Sequence, residues 1–274
     1  MSTNLRNIGP VMLVGAGKMG LALARGWLDA GLPPPNLLLV DPNPSPEARE
    51  LAQDYGLNIS TEAAGLQPNV LVLAVKPQII DKVLAGLAPV VGLQTLAISI
   101  AAGIDIATLS RGLDMGRVVR TMPNTPAQIG KGITGAVAGP EVTEEGRAVA
   151  ESLLRAAGPV VWFTDEDQLN AVTAVSGSGP AYVFYLVEAL AQAGKAQGLP
   201  DAVAEQLARQ TVIGSAALLE ADPAPPAVLR QNVTSPNGTT AAGLAVLMAE
   251  DGLMPLVDRT VDAARRRSEE LGNG

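Results

Sequence analysis

The stretch Gly15-Ala16-Gly17-Lys18-Met19-Gly20 constrains this chain more than any other. It follows a short apolar run, Val11 to Val14, and opens the helix-like pattern of Leu21, Ala24, Trp27 and Leu28, which Gly31 ends. Strand, glycine turn and helix in that order begin a βαβ unit. In such a unit the first glycine permits the tight turn and the second lets the backbone approach a pyrophosphate. The third lets helix and strand pack closely, with the phosphates resting on the helix N-terminus. A glycine hexad alone is weak evidence. Here a second strand, residues 37–40, ends in Asp41, 21 residues after Gly20, where an acid can accept hydrogen bonds from ribose hydroxyls. The spacing therefore points to dinucleotide binding rather than to a packing turn.

The alternation continues along the chain. Residues 46–55 read as a helix, 70–75 as a strand ending in Lys76-Pro77-Gln78, 79–87 as a helix, and 95–100 as a strand ending in Ala101-Ala102-Gly103. A helix over 106–113 follows, then a strand over 118–121 running into Met122-Pro123-Asn124-Thr125-Pro126, a strand over 133–138, a helix over 144–157 and a strand over 160–163. Strands alternating with helices predict a Rossmann-type, doubly wound α/β sheet, mostly parallel and covered on both faces. Its ligand should lie across the carboxyl ends of the strands, so the loops that leave those ends are candidates to face it. After Thr164 the strand signal stops. Helices are expected over 167–175, 180–197, 200–220, 241–250 and 255–271, with a break at 223–226. The chain thus divides into a dinucleotide-binding domain, residues 1–164, and an all-α domain, residues 165–274. The later helices are apolar over wide arcs, which implies burial against a second subunit.

Composition closes off several classes of chemistry. The chain has no cysteine and no histidine, which excludes disulfides, thiol nucleophiles, histidine metal sites and every Ser-His or Cys-His arrangement. Any reaction must use hydroxyls, carboxylates, lysines, backbone dipoles or a cofactor. A net charge of -8 argues against nucleic acid or an anionic membrane as a partner. Residues 83–104 carry no charge, long enough to span a bilayer, but Gly86, Pro89, Gly92, Gln94, Thr95 and Ser99 predict a helix end, a loop and a buried strand instead. Residues 1–10 read as a short polar lead-in, so a cytoplasmic address is the default expectation. The acids Asp165, Glu166, Glu220 and Asp222, and the run Arg265-Arg266-Arg267 with Glu269 and Glu270, read most simply as solvated surface.

One further stretch of the helical half stands out: Thr234-Ser235-Pro236-Asn237-Gly238-Thr239-Thr240. Pro236 presets φ, Asn237 and Gly238 readily accept φ > 0, and Thr239 is a fair N-cap for the helix beyond. A turn that feeds a helix N-terminus offers unpaired N–H groups and the positive end of a dipole. With the hydroxyls of Ser235, Thr239 and Thr240 beside it, it could hold a small carboxylate. A capped helix start with no ligand is the competing reading.

Taken together, Gly15 to Gly20, Ala74-Val75-Lys76-Pro77-Gln78 with Met122-Pro123-Asn124-Thr125-Pro126, Ser176-Gly177-Ser178-Gly179-Pro180-Ala181-Tyr182, and the 234–240 stretch resemble the motif series of the Δ1-pyrroline-5-carboxylate reductase family, in order and over essentially the whole chain. The resemblance implies hydride transfer from NADPH or NADH to a C5=N bond, giving L-proline. It implies a helical domain that binds substrate and dimerises by interleaving, often within a ring of dimers. It places the dinucleotide phosphates on Gly15, Ala16, Gly17, Lys18, Met19 and Gly20. Ala74, Val75, Lys76, Pro77, Ala101, Ala102 and Gly103 then flank ribose and nicotinamide, and Asn124 lies in the nicotinamide pocket. It puts the substrate carboxylate on Ser235 and the turn through Gly238 to the N–H groups of Thr239 and Thr240, with the Thr240 hydroxyl on the ring nitrogen. A cyclic imine is activated by protonation, so positioning and one hydrogen-bond partner suffice and no histidine is required.

Two departures bear on the detail. Asn237 stands where the family usually has Gly, and Asn tolerates the left-handed region next best. Asp41 favours a free 2′-hydroxyl, whereas the family mostly prefers NADPH; Asn43 and Ser45 could still bind a phosphate, so both cofactors stay open. A β-hydroxyacid dehydrogenase or imine reductase shares the two-domain plan. Such a dehydrogenase needs an early lysine in the second domain, and only Lys195 is available. A non-catalytic dinucleotide sensor is the alternative from another class.

Overall fold

The computed structural model describes residues 4–272 apart from 64 and 66. The elements of the first half are β1 (Val11–Val14), α1 (Lys18–Asp29), β2 (Leu37–Val40), α2 (Pro46–Tyr55), β3 (Asn58–Ser60), β4 (Val70–Leu73) and α3 (Ile80–Leu87). They continue with β5 (Leu96–Ser99), α4 (Ile106–Leu113), β6 (Val118–Met122), β7 (Thr134–Ala138), α5 (Glu144–Arg155) and β8 (Val160–Phe163). Helices alone follow: α6 (Gln168–Val172), α7 (Gly179–Ala196), α8 (Asp201–Ala221), α9 (Pro226–Asn232), α10 (Thr239–Leu247) and α11 (Leu253–Gly272). Two compact units result, Met1–Gly177 with Ala264–Gly274, and Ser178–Ala263.

In the first unit the described strands form one sheet in the order β3-β2-β1-β4-β5-β6-β7-β8, parallel except for the antiparallel pair β6 and β7. β1 pairs with both β2 and β4, so the strand order reverses beside it, and the crevice at its carboxyl end is where such sheets take ligands. Every residue of β1, β4 and β5 is buried, as expected for strands covered on both faces. One face packs Leu13, Leu39 and Val72 against Leu23, Trp27 and Leu153. The other packs Met12, Leu71 and Leu73 against Leu84, Leu109 and Leu113. Trp27 donates its indole N–H to the Leu153 carbonyl at 2.8 Å and so ties α1 to α5.

Three features depart from the sequence expectations. β3 was not foreseen: Asn-Ile-Ser is too short and polar to show a period, and it exists because the edge of β2 offers it a partner. The helix expected over 167–175 becomes α6 followed by a π-helical turn, Thr173–Gly177. Thr173 and Ser176 donate their hydroxyls to the Leu169 and Val172 carbonyls, local bonds that compete with the regular ladder. The first unit also runs past residue 164. α6 lies so close to β7 that a Cβ on Gly135 would stand 2.8 Å from the Val172 Cγ1, and Leu169 is buried there.

The 166 carboxylate is likewise not simple solvated surface. Glu166 accepts from the Ile106 amide at the start of α4 and from the Arg120 guanidinium, both at 2.8 Å, and Arg120 is buried in the sheet. Pairing is what permits that burial.

The second unit has a thin core. α7 and α8 pack through small residues, and a Cβ on Gly194 would touch Ala204 at 3.3 Å. Its buried hydrophobics are Ala191, Ala204 and Ala208, whereas Phe184, Tyr185, Val246 and Met254 are 63%, 70%, 73% and 72% exposed. No helix among the described residues is long and apolar enough to cross a membrane.

Candidate active site

The three glycines of the first turn have separable causes. Gly15 adopts φ +97°, and a Cβ there would stand 2.5 Å from the Ala74 carbonyl oxygen. A Cβ on Gly20 would stand 2.2 Å from the Gly15 carbonyl oxygen. The chain itself therefore demands both. Gly17 is different: a Cβ there would meet nothing within 4 Å. Nothing in the protein requires glycine at that position, but a phosphate lying against the backbone would.

Gly17 is also the N-cap of α1, and no side chain caps it. The amides of Lys18, Met19 and Gly20 are thus available at the positive end of the helix, while Leu21 closes the first turn onto the Gly17 carbonyl at 2.9 Å. This cradle fits a dinucleotide pyrophosphate. The Gly15 amide donates to the Val40 carbonyl and the Ala74 amide to the Val14 carbonyl, both at 2.8 Å, so the turn is fixed on both flanks.

Asp41, at the end of β2, is more committed than the sequence suggests. Its Oδ2 accepts from the Ala16 amide and its Oδ1 from the Asn43 amide, each at 2.8 Å. The remaining rim comes from the loops after β4, β5 and β6. Ala74 and Val75 are half-buried, Lys76 is exposed and Pro77 starts a 3₁₀ turn. Ala101 is buried, Ala102 half-buried and Gly103 left-handed at φ +77°. Asn124 uses its Oδ1 to accept from the Ile133 amide at 2.9 Å, so that oxygen braces the loop before β7. All of these expected cofactor positions gather at the carboxyl ends of β1, β2, β4, β5 and β6. The sequence reading missed one neighbour: the last turn of α11, where a Cβ on Gly103 would lie 3.3 Å from the Leu271 carbonyl. A contact between residues so far apart in sequence leaves no local signal.

In the second unit, residues 235–238 form a turn closed by the Gly238 amide on the Ser235 carbonyl at 3.1 Å. Asn237 sits at φ +56°, as its tolerance of the left-handed region predicts. Gly238 does not use that freedom; it is extended, at φ -84°, and is itself the N-cap of α10. Thr239 is therefore the first helical residue rather than the cap, because the turn ends one residue early, and no side chain caps the helix.

That shift leaves Thr239 with an unused hydroxyl. Thr234 spends its own on the Arg230 carbonyl at 2.6 Å. Among the described residues, the hydroxyls of Ser235, Thr239 and Thr240 and the amides of Thr239, Thr240 and Ala241 have no partner. Three amide and three hydroxyl donors, with three hydroxyl oxygens that can also accept, beside a helix N-terminus suit a small carboxylate with an adjacent polar atom. Lys195 offers no rival acid or base. It donates to Glu205 at 2.9 Å and lies 3.5 Å from Asp201, and the Glu205 hydrogen bond holds its pKa above the ordinary lysine value.

A sheet that reverses order beside a glycine turn, with a phosphate cradle at that point, defines a dinucleotide-binding protein of the Rossmann type. The comparisons narrow this. Residues 10–103 match a family model described as NADP oxidoreductase, coenzyme F420-dependent, and residues 166–271 match one described as pyrroline-5-carboxylate reductase dimerisation. The chain is 40% identical over 264 residues to a pyrroline-5-carboxylate reductase of Pseudomonas aeruginosa, covering 95% of this chain and 96% of that one. A pyrroline-5-carboxylate reductase structure from Coxiella burnetii matches with TM-score 0.88 at 34% identity, covering 97% of this chain and 99% of the other. A Plasmodium falciparum pyrroline carboxylate reductase with NADP bound matches with TM-score 0.79 at 29% identity, over 97% and 99%. The chain belongs to the pyrroline-5-carboxylate reductase family.

Proposed function

We propose that this protein reduces the C5=N bond of Δ1-pyrroline-5-carboxylate to give L-proline, using NADPH or NADH. The observation that carries this reading is the start of α10, whose hydroxyls and amides have no partner within the described chain. The Ser235 hydroxyl and the Thr239 and Thr240 amides grip the substrate carboxylate. The Thr240 hydroxyl hydrogen-bonds the ring nitrogen, where a proton must reside for the imine carbon to become electrophilic. The cofactor supplies the hydride. The chain's own part is to bind, orient and exclude, and no group with a pKa near neutrality is needed for it.

The cofactor is held by Gly15 to Gly20 through backbone amides at its pyrophosphate. The loops 74–77 and 101–103 and the Asn124 loop flank its ribose and nicotinamide, and Asp41 borders the adenosine end. The exposed apolar side chains of the helical unit, with Phe184, Tyr185, Val246 and Met254 among them, support a dimer in which a second copy covers them. Dimers assembled into a larger ring would extend the same plan.

Initial rates with pyrroline-5-carboxylate under each reduced cofactor test the assignment. Turnover with at least one is expected. Purified protein that binds NAD(P)H without oxidising it in the presence of this substrate would return the chain to a sensing role.

A further inference from the structure

An acid at the end of the second strand of such a sheet is ordinarily assigned to the cofactor's ribose, and its charge to the choice between a 2′-hydroxyl and a 2′-phosphate. Here each carboxylate oxygen of Asp41 already accepts a backbone amide. Oδ2 takes Ala16, the residue between the first two glycines of the turn, and Oδ1 takes Asn43, two residues into the loop between β2 and α2. Ala16 is buried and Asp41 half-buried, so the Ala16 bond is sheltered from competing water. The Asp41 amide in turn donates to the Ser60 carbonyl at 2.9 Å, which anchors its backbone to β3. The side chain thus stands on a fixed strand end and holds two separate loops.

We infer that Asp41 is a positioning residue, a clip that sets the glycine turn and the 42–45 loop in their binding geometry, and that it acts on dinucleotide affinity through them. This rests on the cofactor assignment above. The alternative, a carboxylate that acts by repelling a 2′-phosphate, makes an opposite prediction for one cofactor. Removing a repelling charge tightens NADPH. Removing a clip weakens NADPH and NADH together, because both need the same ordered turn.

The test measures dissociation constants for NADPH and NADH by cofactor fluorescence in the assembled enzyme, for wild type, Asp41→Asn and Asp41→Ser. Asn keeps the shape and can accept one amide, but sets its own N–H₂ against the other; Ser removes both carboxylate oxygens and leaves one uncharged hydroxyl on a shorter side chain. Both cofactors are expected to weaken in the order wild type, Asn, Ser, with a loss of about tenfold for Ser, the scale of charge-assisted hydrogen bonds. NADPH that binds more tightly in either variant, or affinities unchanged for both cofactors, overturns the clip.

Backbone-amide exchange in the wild-type protein gives a check that needs no variant. The buried Ala16 amide should be protected without cofactor, and exchange there at the rate of an open loop would also overturn it. Failure of the wild type to bind either dinucleotide would count against the cofactor assignment itself, and would be seen before any variant is compared.

Discussion

Two helix N-termini in this molecule use the same local device and differ in what stands behind it. α1 and α10 both begin at a glycine N-cap with no side chain capping the first turn, so both present free amides at the positive end of a helix. Behind the first, α1 buries Gly20, Leu23, Ala24, Trp27 and Leu28 in a core shared with the sheet. Behind the second, α10 buries no residue at all. The core behind α1 is built within a single chain, whereas the helical unit leaves large apolar side chains exposed, a surface suited to a second copy. An anion cradle costs little sequence, but holding it in place requires a core, and the two halves obtain that core in different ways.

The largest effect expected from this contrast is on stability. Trp27→Ala removes a buried ring and its N–H bond to Leu153, and should cost about 3–5 kcal/mol in thermal unfolding at any protein concentration. Phe184→Ala, at a side chain 63% exposed in the single chain, should instead lower Tm mainly on dilution and shift sedimentation toward monomer. If both variants lose the same stability regardless of concentration, the contrast between the two cores collapses.

Next in size is the division of labour at the start of α10. Thr240→Ala is expected to lower kcat roughly 10- to 100-fold, the scale of a hydrogen bond to a charged group made at the reacting atoms. Ser235→Ala should act chiefly on KM for the substrate. Equal and small effects from the two would remove the assigned roles, since neither hydroxyl caps the helix in this structure.

The smallest effect sharpens the comparison from the other side, at a helix start that is capped. Asp105 caps α4 by accepting from the Thr108 amide at 2.6 Å. The Thr108 hydrogen bond, opposed by desolvation and helped by Arg120 and Arg111, lowers the Asp105 pKa below the usual carboxylate value. Its contribution is therefore present above the unfolded pKa, near ~3.9, and is lost as pH falls through the lower folded value. Asp105→Ala should cost about 1 kcal/mol at neutral pH. That penalty should shrink below pH ~4 as the wild-type carboxyl protonates; one that persists unchanged in acid would mean the cap is not electrostatic.

The sequence by itself determined the architecture of the first half and the composition of both candidate sites. Periodicity, glycine spacing and the residues at strand ends are local properties, and local physics suffices to read them. It also determined the left-handed turn at Asn237, since few residues accept that conformation. What only the tertiary structure decided are the relations between distant segments. The short strand 58–60 exists because β2 leaves an edge, and the helical turn at 173–177 widens because hydroxyls compete with the ladder. Glu166 belongs to a buried arginine rather than to solvent, and the end of α11 borders the Gly103 loop. The position of Thr239 as first helical residue, and of Asp41 as a bond acceptor for two loops, followed from where backbones meet. Residue type states what a side chain can do, and tertiary contact states which of those capacities is already used.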